Sequence, residues 1–260
     1  MRNNYIYTIS FAAWASLSLH PSHAAIFDQD DRITVSTAPG SPYAPIGRVT
    51  REGIVPLHTT GTLVSTCHVL TSQHLFGQQR AMGRRVVFTA AIGTRDQASS
   101  RGTVVAAGGY EKHPIATELD AAIASDWIVV KLDTCLGRSL GFATIRTYPQ
   151  TAAELAHVES AGYPADRPWQ AGLTVDPSCA IRGLYAQVWL NDCAALSGNS
   201  GGPIFRVAKS EGRQQLEVYA IQSRAFSYRG VVPFAGGYEN MATPVLIPDF
   251  QRLVALAASN

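Results

Sequence analysis

Ser200 lies in the run Cys193-Ala194-Ala195-Leu196-Ser197-Gly198-Asn199-Ser200-Gly201-Gly202-Pro203-Ile204-Phe205, a serine among glycines between two extended segments. A serine hydroxyl is a weak nucleophile at its free pKa. To attack a carbonyl it needs a base to take its proton and donors for the negative charge that develops on the carbonyl oxygen. Glycine at 198, 201 and 202 permits positive φ and a sharp turn, which can aim consecutive backbone N–H groups at one point. An ordinary Gly/Ser turn between strands has the same composition, so the chemistry depends on partners elsewhere. All seven histidines, His20, His23, His58, His68, His74, His113 and His157, precede Ser200. That order excludes the nucleophile elbow of α/β-hydrolases, in which the acid and the histidine follow the serine.

Two upstream segments can supply a base and an acid. In Gly61-Thr62-Leu63-Val64-Ser65-Thr66-Cys67-His68-Val69-Leu70-Thr71-Ser72-Gln73-His74, two apolar, β-branched runs lead to a histidine. In Asp126-Trp127-Ile128-Val129-Val130-Lys131-Leu132, an acid heads an apolar strand. With the Gly198–Pro203 loop, these resemble the histidine, aspartate and serine segments of the trypsin-like serine peptidases of the chymotrypsin fold. The resemblance covers roughly residues 30 to 257. It implies His74 as general base, Asp126 as the acid that orients it, Ser200 as nucleophile, and an oxyanion hole of the Gly198 and Ser200 N–H groups. His68, inside the strand, is the rival base. Asp120 and Asp133 are the rival acids, and Ser197 lacks the flanking glycines of Ser200.

The resemblance also places a specificity pocket at Ala194, Ala195, Gln222, Ser223 and Arg224. Ser223 matches the family's serine that bonds the triad aspartate and lies on the strand that pairs with substrate. The pocket floor, an aspartate in trypsin-type enzymes, is Ala194 here, which argues against cleavage after Arg or Lys. Pro42-Tyr43-Ala44-Pro45-Ile46-Gly47 and Ala161-Gly162-Tyr163-Pro164-Ala165-Asp166 resemble the glutamyl-endopeptidase branch. The histidine that reads a substrate carboxylate there is Gln222 here, with Arg224 as an alternative cation. Gln73 replaces the alanine usual before the histidine. Asn199 replaces the aspartate with which trypsin-type zymogens pair a new amino terminus, so a chain starting at Ala25 is expected to have a formed oxyanion hole.

The elements that must hold these residues read as short strands. Runs rich in Val, Ile, Thr and Leu fall at 61–65, 68–72, 85–91, 102–107 and 126–132, then at 155–162, 172–183, 185–190, 203–207, 216–222 and 241–246, separated by turn residues. This spacing predicts an all-β chain of antiparallel barrels. The family's form is two six-stranded antiparallel β-barrels with a C-terminal helix. Phe250, Leu253, Val254 and Ala257 after Pro248-Asp249 give that helix. Arg2, the uncharged stretch from Tyr5 to Leu19 and Ser22-His23-Ala24 predict a signal peptide cleaved after Ala24. It is too short for a span of about 30 Å. The expected division is 1–24 signal peptide, 25–42 an N-terminal segment open to removal as a propeptide, 43–147 first barrel, 148–247 second barrel with the connection near Thr147–Thr151, and 248–260 helix.

Four cysteines in an exported chain predict two disulfides. Three pairings exist, and Cys67–Cys135 with Cys179–Cys193 keeps each bridge inside one barrel. No pair has Cys-x₂₋₄-Cys spacing, so zinc is disfavoured; no metal or cofactor is expected. A net charge of +2 without a Lys/Arg cluster gives no footprint for nucleic acid or anionic membrane. The expectation is a secreted or periplasmic monomeric serine endopeptidase acting on protein or peptide substrates. A protease-fold protein that only binds a partner, and an esterase on the same scaffold, are the competing function classes.

Overall fold

The computed structural model describes residues 25–53, 57–146, 156–185, 187–210, 212–225, 230–232, 240–244, 252 and 255–256. The expected signal peptide and the expected connection near 147–151 lie outside these residues. So does the expected C-terminal helix, apart from positions 252, 255 and 256, which are helical.

The first half closes. Strands Ile46–Arg51, His58–Leu63, His68–Thr71, Ile128–Leu132, Ala98–Ala107 and Arg85–Ala90 are hydrogen-bonded in that order, and the last pairs with the first. Alternation along each strand decides which face turns inward. In Arg85–Ala90 the second, fourth and sixth residues, Val86, Phe88 and Ala90, are fully buried. They meet Val49, Leu63, Val69, Val104, Ile128 and Val130 in the barrel core.

The second half differs from the expected six-stranded barrel. Among the described residues it is a nine-stranded sheet. Its main path runs Ile181–Tyr185, Val188–Asn191, Asn240–Pro244, Arg213–Ala225, Pro203–Ser210, Val158–Gly162, Leu173–Cys179 and Ile33–Val35. Thr144–Ile145 joins Arg213–Ala225 in parallel. The centre is the hairpin of Pro203–Ser210 with the 13-residue strand Arg213–Ala225. A register shift between Gln222 and Arg224 bends that strand, so that its two ends serve different partners. At the far edge, Ile33–Val35 adds to Leu173–Cys179, where a barrel would have to close on itself. A second core of Ile46, Tyr163, Leu173, Val175, Phe205, Leu216 and Val218 spans this sheet and the end of the barrel.

The N-terminal segment is built into the fold through strands Ala25–Phe27 and Ile33–Val35. Ala25–Phe27 is a buried strand parallel to Gly230–Val232. The Ala25 N–H donates to Asn240 Oδ1 (3.1 Å), and the Ala25 carbonyl accepts from Ala195 N–H (3.0 Å) and Asn240 Nδ2 (2.9 Å). Arg32, 8% exposed, is clamped by Asp30 and Asp166 at 2.8 Å each.

The cysteines pair as Cys67–Cys135 and Cys179–Cys193, with Cα separations of 4.2 and 4.8 Å. Among the described residues no helix is long and apolar enough to cross a membrane. A peptide map without reductant is expected to recover both linkages and no free thiol. Four thiols in protein exported to an oxidising compartment would contradict the pairing. Replacing Cys179 and Cys193 together by serine should destabilise the chain by about 3 kcal/mol, the loop-entropy figure for a closure of this length.

Candidate active site

Neighbouring strands bring the proposed base and acid together. Thr71 and Ile128 are partners in the ladder between His68–Thr71 and Ile128–Leu132. His74 follows the first strand in the 3₁₀ turn Gln73–Phe76, and Asp126 precedes the second, just after the helix Leu119–Ala124. Asp126 is fully buried. Its Oδ1 accepts the His74 backbone N–H at 2.8 Å, and its Oδ2 lies 2.6 Å from His74 Nδ1 and accepts the Ser223 hydroxyl. Two bonds from one carboxylate fix both the position and the orientation of the imidazole, and the Nδ1 contact leaves Nε2 directed away from the acid.

The serine loop is pinned from both sheets. Thr60, in the barrel, donates its N–H to the Ser200 carbonyl and its hydroxyl to the Gly198 carbonyl, both at 2.8 Å. Gly201 N–H donates to the Gln222 carbonyl (2.7 Å) and Gln222 N–H to the Gly202 carbonyl (2.8 Å). Gly198 has φ +96°, and a Cβ there would run into the Tyr163 carbonyl and come within 2.6 Å of His58 Nε2. Only glycine fits this position. Among the described residues, the N–H groups of Gly198 and Ser200 make no hydrogen bond, so both can donate to an incoming oxygen. Asn199 is 2% exposed. Its Oδ1 accepts the Leu196 N–H at 3.4 Å, and its amide nitrogen packs where a Cβ on Gly162 would stand. The Ser200 hydroxyl donates to the Ser223 carbonyl at 3.4 Å, and no hydrogen bond joins it to His74 among the described residues. Such bonds are often long before substrate arrives.

The rivals lie elsewhere. His68 is buried with Nδ1 2.9 Å from Ser65 Oγ, and burial, helped by Lys131, lowers its pKa and keeps the ring neutral. Asp133 pairs with Arg85, and Asp120 occupies the first turn of the helix Leu119–Ala124. Ser197 points to solvent at the rim of the loop.

The specificity residues divide. Ala194 and Ala195 are buried, their N–H groups held by Asp176 Oδ2 (2.6 Å) and the Ala25 carbonyl (3.0 Å). The Gln222 and Asn191 side-chain amides exchange two hydrogen bonds of 3.3 Å, and Asn191 Nδ2 also donates to the Asn240 carbonyl at 3.0 Å. Its side chain is therefore engaged behind the site. Arg224 donates to the Tyr110 hydroxyl at 2.8 Å, and the Tyr110 ring stands 6.1 Å from that of His74. The structure thus places the Arg224 cation against Tyr110, on the His74 side.

Several contributors have no signature in the sequence. Gln73 accepts the Gly109 and Tyr110 N–H groups at 3.0 and 3.2 Å and donates to Glu111, so it anchors Tyr110 beside His74. Asp176, pushed up in pKa by burial, supports the segment at Ala194. Tyr110 and Asp176 belong to no local motif, and Gln73 stands out in the sequence as a departure from the alanine that the resemblance implies.

The family model for the trypsin-like peptidase domain matches residues 59–212, a span that includes His74, Asp126 and Ser200. A comparison with curated proteins finds no match. Among solved structures, a Glu endopeptidase in complex with MPD is similar at a TM-score of 0.64 and 18% identity, over 90% of this chain and 99% of that one. The thermostable serine protease AL20 from an extremophilic microorganism is similar at 0.60 and 18%, over 85% and 99% of the two chains. The protease Anisep from Arthrobacter nicotinovorans is similar at 0.57 and 16%, over 88% and 100%. At these identities the likeness is one of fold.

Proposed function

The chain belongs to the trypsin-like peptidase family, and on that premise we propose that it is a secreted serine endopeptidase working through His74, Asp126 and Ser200. The observation that carries the proposal is the buried carboxylate of Asp126, held by the His74 N–H, His74 Nδ1 and the Ser223 hydroxyl beside a glycine loop in which, among the described residues, the Gly198 and Ser200 N–H groups are unbonded. A rotation of the Ser200 side chain from the Ser223 carbonyl frees its hydroxyl for His74 Nε2. His74 takes the proton as Oγ attacks the scissile carbonyl, and the Gly198 and Ser200 N–H groups receive the oxyanion. The tetrahedral adduct collapses as His74 gives its proton to the leaving amine. Water then attacks the acyl-enzyme by the same route. Asp126 does not take up the proton; it orients the ring and stabilises the imidazolium.

The neutral alanines at the pocket floor offer no partner to a basic side chain. Two disulfides fit a chain folded in an oxidising compartment. A fluorophosphonate probe is expected to label the mature protein at Ser200, and a peptide library to reveal internal cleavage. Absence of labelling would favour a partner-binding protein, and labelling with cleavage of esters alone would favour an esterase.

Asn199 and the Ala25 strand set a further expectation. A chain beginning at Ala25 should react with an active-site acylating reagent without later processing, because Asn199 holds the loop from within. A chain beginning at Ile33 should react at least about tenfold more slowly, since buried bonds of ~1 kcal/mol each are lost from Ala195 and Asn240. Titrating both forms checks this. Reaction of the Ile33 form alone would remove Asn199 from the assigned role.

A further inference from the structure

Ser223 flanks Ser200 on one side of the oxyanion loop, while His58 abuts Gly198 on the other. On the His58 side a cleft of about 390 Å³ opens, lined by Arg48, Leu57, His58, Arg167, Trp169 and the rim residue Ser197. Its base is unusual. The Arg48 side chain belongs to a residue only 4% exposed, with its guanidinium carbon 3.9 Å from the centre of the Trp169 ring and 5.1 Å from that of Tyr163. Nη1 donates to the Trp169 carbonyl at 2.8 Å, but Nε is buried with no partner among the described residues. A buried guanidinium N–H without an acceptor is costly, and a buried cation more so. Among the described residues no carboxylate pairs with Arg48, and no acidic side chain lines the cleft. Arg167, at the mouth, is partly compensated by Asp30 (3.4 Å) and Asp166 (4.0 Å). The wall is apolar and open: Leu57 is 60% exposed and Trp169 41%.

We propose that this cleft is the subsite for the leaving half of the substrate, and that it selects an acidic side chain within the first two residues after the scissile bond. The proposal rests on the peptidase reading. The acyl half of a substrate adds along the strand that carries Ser223, and its carbonyl oxygen enters the Gly198 and Ser200 N–H groups. The chain beyond the scissile bond then passes over Ser197 and Gly198 towards His58 and Trp169. There, a Glu or Asp carboxylate supplies the acceptor that Arg48 Nε lacks, while Leu57 and Trp169 cover the methylene stem. Arg rather than Lys suits the position, because a planar guanidinium can lie between two rings and still present an edge to a carboxylate.

The test takes a peptide that the enzyme cleaves and varies only its leaving half, with Glu or Gln at each of the first two positions. With active sites titrated, Glu is expected to be preferred over Gln by about tenfold in kcat/KM at one of the two positions, the scale at which a site built for a polar partner discriminates. Arg48→Gln should bring the ratio to about 1 and leave cleavage of the Gln peptide within about threefold of wild type, as expected when binding, not chemistry, is altered. Fluorophosphonate labelling should be unchanged. Should Arg48→Gln fail to fold, Trp169→Ala, which removes a half-exposed ring, decides the matter by lowering the same ratio. Equal cleavage of Glu and Gln peptides by the wild type, or a ratio untouched by both variants, overturns the subsite and leaves the peptidase standing. Failure to label or cleave at all overturns both.

Discussion

Ser200→Ala is expected to lower turnover by about 10³-fold or more and to leave stability within about 0.5 kcal/mol. The large effect follows from losing the proposed nucleophile, the atom that would form the acyl-enzyme. The small one follows from its surroundings. The hydroxyl makes one long bond, to the Ser223 carbonyl at 3.4 Å, while the loop is held by backbone groups of Thr60, Gly201 and Gln222 that the substitution leaves in place. Turnover per folded molecule, with the thermal transition recorded in parallel, checks both halves. Near-wild-type turnover would sink the assignment of Ser200.

Asp126→Asn is the second large effect, about 10⁴-fold in kcat at neutral pH, the size seen when a triad acid becomes an amide. Its carboxylate accepts from three directions: the His74 N–H, His74 Nδ1 and the Ser223 hydroxyl. An amide has one oxygen and one NH₂ group. Whichever way it turns, a donor meets a donor, or Nδ1 is forced to accept and Nε2 carries the proton that should come from Ser200. The imidazolium would also face no negative charge. Rates should collapse while peptide binding changes little, so kcat and not KM carries the loss. Undiminished kcat in this variant would transfer the role to Asp120.

How much of this was legible in the sequence depended on whether a residue's role was set by its neighbours in the chain or by contacts across the fold. Gly198 and Gly201 announce a turn that only glycine makes, and both have positive φ in the structure. His74 and Asp126 stand at the ends of apolar runs, and adjacent strands are enough to bring them together. Arg224 shows the limit. Counting along the strand puts it in the specificity pocket, but the register shift after Gln222 breaks the alternation and its guanidinium reaches Tyr110. Among the described residues the nine-stranded second sheet was equally hidden, because its edge pairs Ile33–Val35 with Leu173–Cys179, where Val35 and its partner Leu173 are 138 positions apart in the chain and no local pattern links them. Arg48 comes from one strand and Tyr163 and Trp169 from a connection more than 100 residues later, and no local motif encodes their stacking.

Thr60 joins the two halves of the molecule at the site. From the barrel that carries His74 and Asp126, it bonds the Ser200 and Gly198 carbonyls and accepts the Tyr163 N–H at 2.9 Å, all from the other sheet. The proposed catalytic residues therefore straddle a seam, with Ser200 and His74 on opposite sides of it. Parting at the seam takes the serine away from its histidine before either set of strands has to open. A molecule that starts to come apart is disarmed before its own loops become digestible, while its intact neighbours remain armed. Self-digestion in a concentrated solution should accordingly follow second-order kinetics, one molecule cutting another, and fade as the population loosens together.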